Sequence, residues 1–142
     1  MAKILISPGR YVQGAGEMKK LGTYAAMYGK KALVLITESG YKRSSAVIEE
    51  GFQNAECSMT VDYFQGECSK KEISRICALM EEKGCDLMIG IGGGKTLDTA
   101  KAAAYYRKVP VIICPTIAST DAPCSALSVI YSEEGVFEEY LF

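Results

Sequence analysis

The run from Ile89 to Lys101, Ile-Gly-Ile-Gly-Gly-Gly-Lys-Thr-Leu-Asp-Thr-Ala-Lys, constrains this chain more than any other stretch. It reads as an apolar strand end, a turn with no side-chain bulk, and the start of an amphipathic helix. Three consecutive glycines, Gly92 to Gly94, let a ligand come against bare backbone. The helix behind them offers unpaired N–H groups and a partial positive charge. That is a seat for phosphate, and the pyrophosphate of a dinucleotide suits it best. The chain has no histidine, so it is expected to hold only part of the chemistry it serves.

The rest of the chain alternates short apolar runs with helical patterns. Ile4–Ile6 and Tyr11–Val12, split by Ser-Pro-Gly, suggest an opening hairpin or extended arm. Met18, Leu21, Ala25 and Tyr28 recur at helical spacing. Ala32–Ile36 is a continuous apolar strand, as expected where both sheet faces are covered. A helix is expected around Ser45–Asn54, burying Val47, Ile48 and Phe52, and Met59–Phe64 reads as a strand nearer an edge. Ser69-Lys70-Lys71-Glu72 forms a capping box, starting a helix with Ile73, Ile76, Cys77 and Met80 on one face. Leu87–Ile89 and Val111–Cys114 are further strands, and Leu97, Ala100 and Ala104 bury the helix between them. This rhythm implies right-handed crossovers and a mostly parallel sheet with helices on both faces. Ser125–Tyr131 and Val136–Phe142 alternate around a turn-like Ser-Glu-Glu-Gly, which reads as a C-terminal β-hairpin. The chain ends on Tyr-Leu-Phe at that second strand. Natural domains seldom end so, and a further domain is expected to be missing.

Composition narrows the function classes. At 142 residues, 49% of them hydrophobic, the chain is one domain with core enough to fold. With 16 basic and 17 acidic residues the net charge is −1, and no basic stripe with aromatics suggests nucleic acid. No apolar run reaches the roughly 18 residues of a membrane span. The N-terminus lacks the pattern of a signal peptide, so cytoplasm is the expected location. The cysteines at 57, 68, 77, 85, 114 and 124 include no C-x-x-C pair, which argues against a zinc knuckle or redox motif. They are expected to serve as small hydrophobes in a reduced protein.

Two better-known loops match the glycine turn only in part. A Walker loop requires a glycine five positions before Gly94-Lys95-Thr96. Ile89 stands there, and Gly90 falls one residue short. The ordinary dinucleotide fingerprint is met by Gly90 and Gly92, but Lys95 occupies the place of its third small residue. Glycines at a strand–helix turn also serve plain packing. Lys95 would favour an anion at the helix mouth, and Asp98 could cap nearby donors or hydrogen-bond a ligand. For each, a solvated helix face is the simpler reading.

A second dense stretch, Pro115 to Ser125, follows an apolar strand directly. In a parallel α/β sheet ligands bind beyond the carboxyl ends of the strands. This loop and the glycine turn should therefore share one crevice. Thr116, Ser119 and Thr120 supply hydroxyls and Asp121 a carboxylate. Ser119 or Asp121 could instead start a short helix.

Together these stretches resemble the iron-containing alcohol dehydrogenase superfamily, and within it the NAD-dependent glycerol dehydrogenases. Ile6 through Gly14, Gly66 through Ser69, Gly90 through Lys101 and Pro115 through Tyr131 carry the resemblance, which runs from about Ile4 to Phe142. It implies that residues 1–142 form a Rossmann-like, N-terminal dinucleotide-binding domain, and that a C-terminal helical, metal-binding domain is absent. It implies oxidation of glycerol to dihydroxyacetone, with NAD accepting the hydride and a divalent metal, usually zinc in this branch, polarising the alcohol. Gly93, Gly94 and Lys95 would hold the pyrophosphate, with Asp98 nearby. Thr116 and Ser119 would contact the adenosine and phosphate side. Ser125, Leu127 and Tyr131 would line the nicotinamide pocket, and Asp121 would bind the glycerol hydroxyls.

Two departures stand out. Where the family commonly has an aspartate for the adenosine ribose, this chain has Thr37, with Glu38 next to it. The family's metal ligands are an aspartate and two histidines of the second domain, so no metal ligand is expected here. The isolated chain is expected to be catalytically silent, to bind NAD, and to need a separate chain carrying the helical domain for turnover on glycerol or a similar small polyol. The alternative is a non-catalytic nucleotide-binding or regulatory module derived from that family. A third reading is an interaction protein whose glycines only pack. Leu127, Val129, Phe137 and Leu141 are expected to leave an apolar face that drives homo-oligomer formation.

Overall fold

The structure, a computed structural model, describes residues 2–3 and 6–142. Four parallel strands form the main sheet: β1 (Lys31–Ile36), β2 (Ser58–Tyr63), β3 (Leu87–Gly92) and β4 (Val111–Pro115). Their order is β2-β1-β3-β4. The chain moves outward from β1 to the edge strand β2, then returns past β1 to β3. The winding therefore reverses between β1 and β3, the place where open α/β sheets take their ligands.

Helices cover both faces, as the strand pattern requires. A short 3₁₀ turn (Glu17–Lys20) leads into α1 (Leu21–Ala26), and α2 spans Glu38–Phe52. Leu21, Ala25, Ile48 and Phe52 from these elements pack on Val34, Ile36, Ile89 and Ile91. On the opposite face α3 (Lys70–Lys83) and α4 (Gly94–Arg107) bring Ile76, Met80, Ala100 and Ala103 onto Leu33, Leu35 and Met88. Alternate residues of β1 thus go to opposite cores, and nearly every residue of the strand is buried. The hairpin forms from β5 (Ser128–Tyr131) and β6 (Phe137–Leu141), paired antiparallel with an irregularity at Ile130/Tyr131. It is a separate two-stranded sheet, seated on α3 and α4 through Ile130, Cys68, Ile73 and Ala102.

The α/β fold, the parallel sheet, the helices on both faces and the C-terminal hairpin all match the reading of the sequence. Local differences have local causes. The opening hairpin is not formed among the described residues: Ile6, Tyr11 and Val12 are exposed and outside any strand, while Ile4 and Leu5 lie outside the described residues. Helix α2 begins at Glu38 rather than near Ser45, because Thr37 caps it by accepting from the Gly40 N–H at 3.1 Å. Its first turns are mostly polar and half-buried or exposed, with Tyr41 alone packing on the core, so they carry no apolar rhythm. The capping box at Ser69 is only half made. Ser69 Oγ accepts from the Glu72 N–H at 3.2 Å, but the Glu72 carboxylate turns to Arg75 and to the Gln65 N–H instead. Tyr28 is 43% exposed, beyond the end of α1, where it adds nothing to the core.

Candidate cofactor site

Strand register brings the site residues together at one end of the sheet. Ile36 pairs with Ile91 and Gly92 with Pro115, so Thr37, Gly93 and Thr116 leave their strands at the same edge. The Thr116 N–H donates to the Gly92 carbonyl at 3.0 Å, extending the ladder one step past Pro115.

The four glycines of the turn divide into two kinds. A Cβ on Gly90 would lie 2.6 Å from the Ala100 Cβ, so glycine lets α4 sit close on β3. Gly92 has φ +154°, a conformation that side chains disfavour. These two serve the fold. A Cβ on Gly93 would meet nothing nearer than Ile117 Cγ2 at 3.8 Å, and one on Gly94 only Thr120 Cγ2 at 3.5 Å. Gly93 has ordinary φ of −93° and stands at the N-cap of α4 with no side chain to satisfy the first N–H groups. Neither glycine is demanded by protein packing, and bare backbone here is what a diphosphate needs. The residues present fit a dinucleotide phosphate group.

Beside this turn lies a cavity of about 360 Å³. Gly94, Lys95 and Asp98 of α4 line it together with Asp121, Ser125, Leu127 and Tyr131. Thr37, Gly93, Thr116 and Ser119 are not among its lining residues; Thr37, Gly93 and Thr116 lie along the sheet edge, and Ser119 is on the exposed loop that follows β4. Two residues that matter to the cavity, Glu67 and Lys101, have no role in the sequence reading, whereas Thr120 is expected at the crevice for its hydroxyl and is found there. Glu67 lines it and pairs with Lys95; Thr120 lines it and its Oγ1 accepts from the Ala122 N–H at 3.3 Å. Lys101 lies behind the cavity and holds the loop. Glu67 was within a quoted motif, but its partner is 28 residues away in sequence.

Asp98 is not on a solvated face. Its residue is 9% exposed. Oδ2 accepts from the Val129 N–H at 3.1 Å, and Oδ1 lies 3.0 Å from Lys101 Nζ. That second contact is Coulombic rather than a directed hydrogen bond, because the three ammonium N–H groups go to the carbonyls of Ala122, Ser125 and Leu127. No short helix starts at Ser119 or Asp121. Residues 122–124 form a turn, with the Cys124 N–H donating to the Asp121 carbonyl at 2.9 Å. At the back of the cavity, burial pushes the Cys68 thiol up to about 11, against the opposing hydrogen bond of Thr99.

At the Thr37 end, the hydroxyl is committed to capping α2. Glu38 and Lys42 pair at 2.8 Å along the exposed helix face, which lowers the carboxyl below its ordinary value chiefly through the hydrogen bond from Lys42. A divalent metal finds no comparable fit. Among the described residues no three His, Cys, Asp or Glu side chains cluster to hold one, and the chain has no histidine. All six cysteines are free thiols, with Cys57, Cys68 and Cys85 buried and Cys124 exposed. No helix among the described residues is long and apolar enough to cross a membrane.

Known proteins are similar to this chain in sequence and fold. The chain is 51% identical over 144 residues to a glycerol dehydrogenase of Thermotoga maritima, covering 100% of this chain and 38% of that protein. It is 47% identical over 141 residues to a glycerol dehydrogenase of Pseudomonas putida, covering 99% of this chain and 39% of the relative. Among solved structures, a probable glycerol dehydrogenase from Sinorhizobium meliloti 1021 matches with a TM-score of 0.88 at 44% identity, over 99% of this chain and 38% of that one. The chain therefore spans well under half the length of these relatives. The family described as iron-containing alcohol dehydrogenase matches residues 8–141. With that match over nearly its whole length, the chain belongs to the iron-containing alcohol dehydrogenase family.

Proposed function

We propose that this chain is the cofactor-binding part of a glycerol dehydrogenase, with the pyrophosphate of NAD seated on Gly93, Gly94 and Lys95. The observation that carries this is the open backbone at Gly93 and Gly94, where glycine has no packing role. The names of relatives 51% and 47% identical support glycerol as the polyol.

Each residue then has a physical task. Thr116 and Ser119 offer hydroxyls to the adenosine and phosphate side. Thr37 stands where the adenosine ribose would lie, with Glu38 beside it to accept from ribose hydroxyls. Ser125, Leu127 and Tyr131 give the nicotinamide ring one polar contact and an apolar wall that excludes water. Asp121, exposed on its loop, accepts hydrogen bonds from the polyol and orients the reacting carbon. When bound, NAD supplies the hydride acceptor that turns glycerol into dihydroxyacetone.

The metal step belongs to residues other than these. The helical, zinc-holding domain would come from further sequence or from a separate chain, and these 142 residues alone are inactive. The protein works in the cytoplasm and as a homo-oligomer.

Calorimetry of the chain with NAD, ADP-ribose and ATP tests the reading. NAD is expected to bind best, and Gly94→Val to abolish binding while leaving the melting transition in place. Tighter binding of a nucleotide that lacks nicotinamide points instead to a non-catalytic nucleotide-binding module. Unchanged affinity in a folded Gly94→Val variant sinks the phosphate seat altogether.

A further inference from the structure

Lys101 lies on α4, three residues past Asp98, and is not among the residues that line the cavity. Its side chain is 10% exposed. Three N–H groups are all that an ammonium has, and each goes to a main-chain carbonyl of one segment. Nζ donates to Ala122 O at 2.9 Å, to Ser125 O at 3.2 Å and to Leu127 O. Asp98 balances the charge from 3.0 Å. Asp98 also holds the far end of the segment, through the Val129 N–H at 3.1 Å and, at its own carbonyl, the Ser128 hydroxyl at 2.9 Å.

The segment so held has no ladder of its own. Between β4 and β5 the chain is irregular, and its backbone polar groups need partners where they are covered. An ion pair that served stability alone would be replaceable by apolar packing. Here the donors are spent on the curvature of a loop, and that loop is one wall of the cavity, through Asp121, Ala122, Ser125 and Leu127. The glycine turn, the other wall, makes none of these contacts.

We propose that Lys101 is a positioning residue: it sets the shape of the 122–127 backbone against which the nicotinamide end of the cofactor lies, and leaves the phosphate seat at Gly93 and Gly94 unaffected. This rests on the cofactor reading above. A residue that merely kept the protein folded would affect all nucleotides alike, whereas a loop-shaping residue separates them.

The test is titration of wild type, Lys101→Met and Lys101→Gln with ADP and with NAD, alongside thermal melting. ADP probes the phosphate seat alone, and NAD probes seat and loop together. The expected result is that Lys101→Met weakens NAD by roughly tenfold or more while ADP changes by less than about twofold, tenfold being the factor for about 1.4 kcal/mol. Lys101→Gln keeps amide donors for the carbonyls and is expected to recover part of the NAD affinity. Hydrogen exchange at the amides of 120–127 should rise in Lys101→Met and not around Gly93. Equal losses for ADP and NAD, or no loss for either, overturn the proposal. So does failure of both variants to melt cooperatively, because a purely structural role then accounts for Lys101. If wild type binds neither nucleotide, the cofactor reading itself has failed; if wild type binds both and the variants do not discriminate, only the role of Lys101 has.

Discussion

Lys95 Nζ and Glu67 Oε1 lie 2.5 Å apart, both on the lining of the cavity beside the glycine turn. Lys95 is 59% exposed along its side chain and Glu67 only 19%, so the carboxylate is the enclosed partner and the ammonium the solvent-facing one. In the absence of an anion the carboxylate neutralises the cation that a phosphate would use. A phosphate entering the seat must compete for it.

Removing the competitor should therefore help binding. Glu67→Gln is expected to tighten ADP by about two- to fivefold, in line with the value of a partly exposed ion pair, and to steepen the loss of affinity with salt. Lys95→Met should weaken ADP by a similar factor. Both are read by calorimetry at two ionic strengths. Weaker binding in Glu67→Gln would mean that the carboxylate orients Lys95 for the phosphate rather than competing with it.

The division of the glycines gives a paired prediction. Gly90→Ala forces a methyl to 2.6 Å from Ala100 Cβ, an overpacking that costs about 1–3 kcal/mol. It should lower the melting temperature. Gly93→Ala meets nothing within 3.4 Å and should melt like wild type, yet lose most nucleotide affinity because the new methyl occupies the phosphate approach. Measuring melting and NAD binding on both variants checks the assignment. A Gly93→Ala protein that still binds normally contradicts it.

Much of this arrangement was legible in the chain itself, for reasons that can be named. Ala32–Ile36 and Leu87–Ile91 are buried on both faces, so their apolar runs are continuous and unmistakable. The glycine turn is visible because packing at Gly90 and backbone conformation at Gly92 call for glycine beside the open positions Gly93 and Gly94, all within five positions. The tertiary pairings were not legible. Nothing local says that Lys101 reaches carbonyls 21 to 26 residues on, or that Glu67 meets Lys95. Asp98 looked like a surface residue because the hairpin that buries it lies 31 residues later. The start of α2 was hidden for the opposite reason: its first turns are polar, and a single cap at Thr37 fixes it.

Acid stability should depend on Asp86. Its carboxylate accepts from the Lys31 N–H at 2.8 Å and from the Lys30 N–H at 3.0 Å, pinning the entry to β1. Burial works against its ionisation, but the hydrogen bonds from Lys31, Lys30 and its own N–H outweigh that and hold its carboxyl below the ordinary 3.8. A lowered carboxyl adds stability above the unfolded-state value, and that stability is lost as pH falls through the folded-state value. Asp86→Asn should therefore cost about 1 kcal/mol or less near neutral pH, the side chain being exposed. Its stability should also fall less steeply than that of wild type below about pH 4. Denaturant melts at pH 7 and pH 3 compare the two. Parallel pH curves for both proteins rule out this source of acid sensitivity.

The hairpin carries the last prediction. Phe137, Tyr140 and Phe142 are 48%, 57% and 82% exposed, and their rings form a chain with centroids 4.9 Å and 6.4 Å apart, continued to Tyr131 at 6.5 Å. Among the described residues strand β6 pairs only with β5, which leaves its other edge without a strand partner among them, beside this aromatic row. Such an edge with apolar side chains recruits another surface. Self-association in sedimentation at high concentration is the expected behaviour of the chain. Phe137→Lys with Tyr140→Lys should shift it toward monomer. The melting temperature should hardly move, because neither ring belongs to the buried clusters that hold the sheet. Lysines on an edge strand also oppose pairing by repulsion. Strict monomer behaviour of the unaltered chain at high concentration would show that the aromatic row and its open edge recruit nothing on their own.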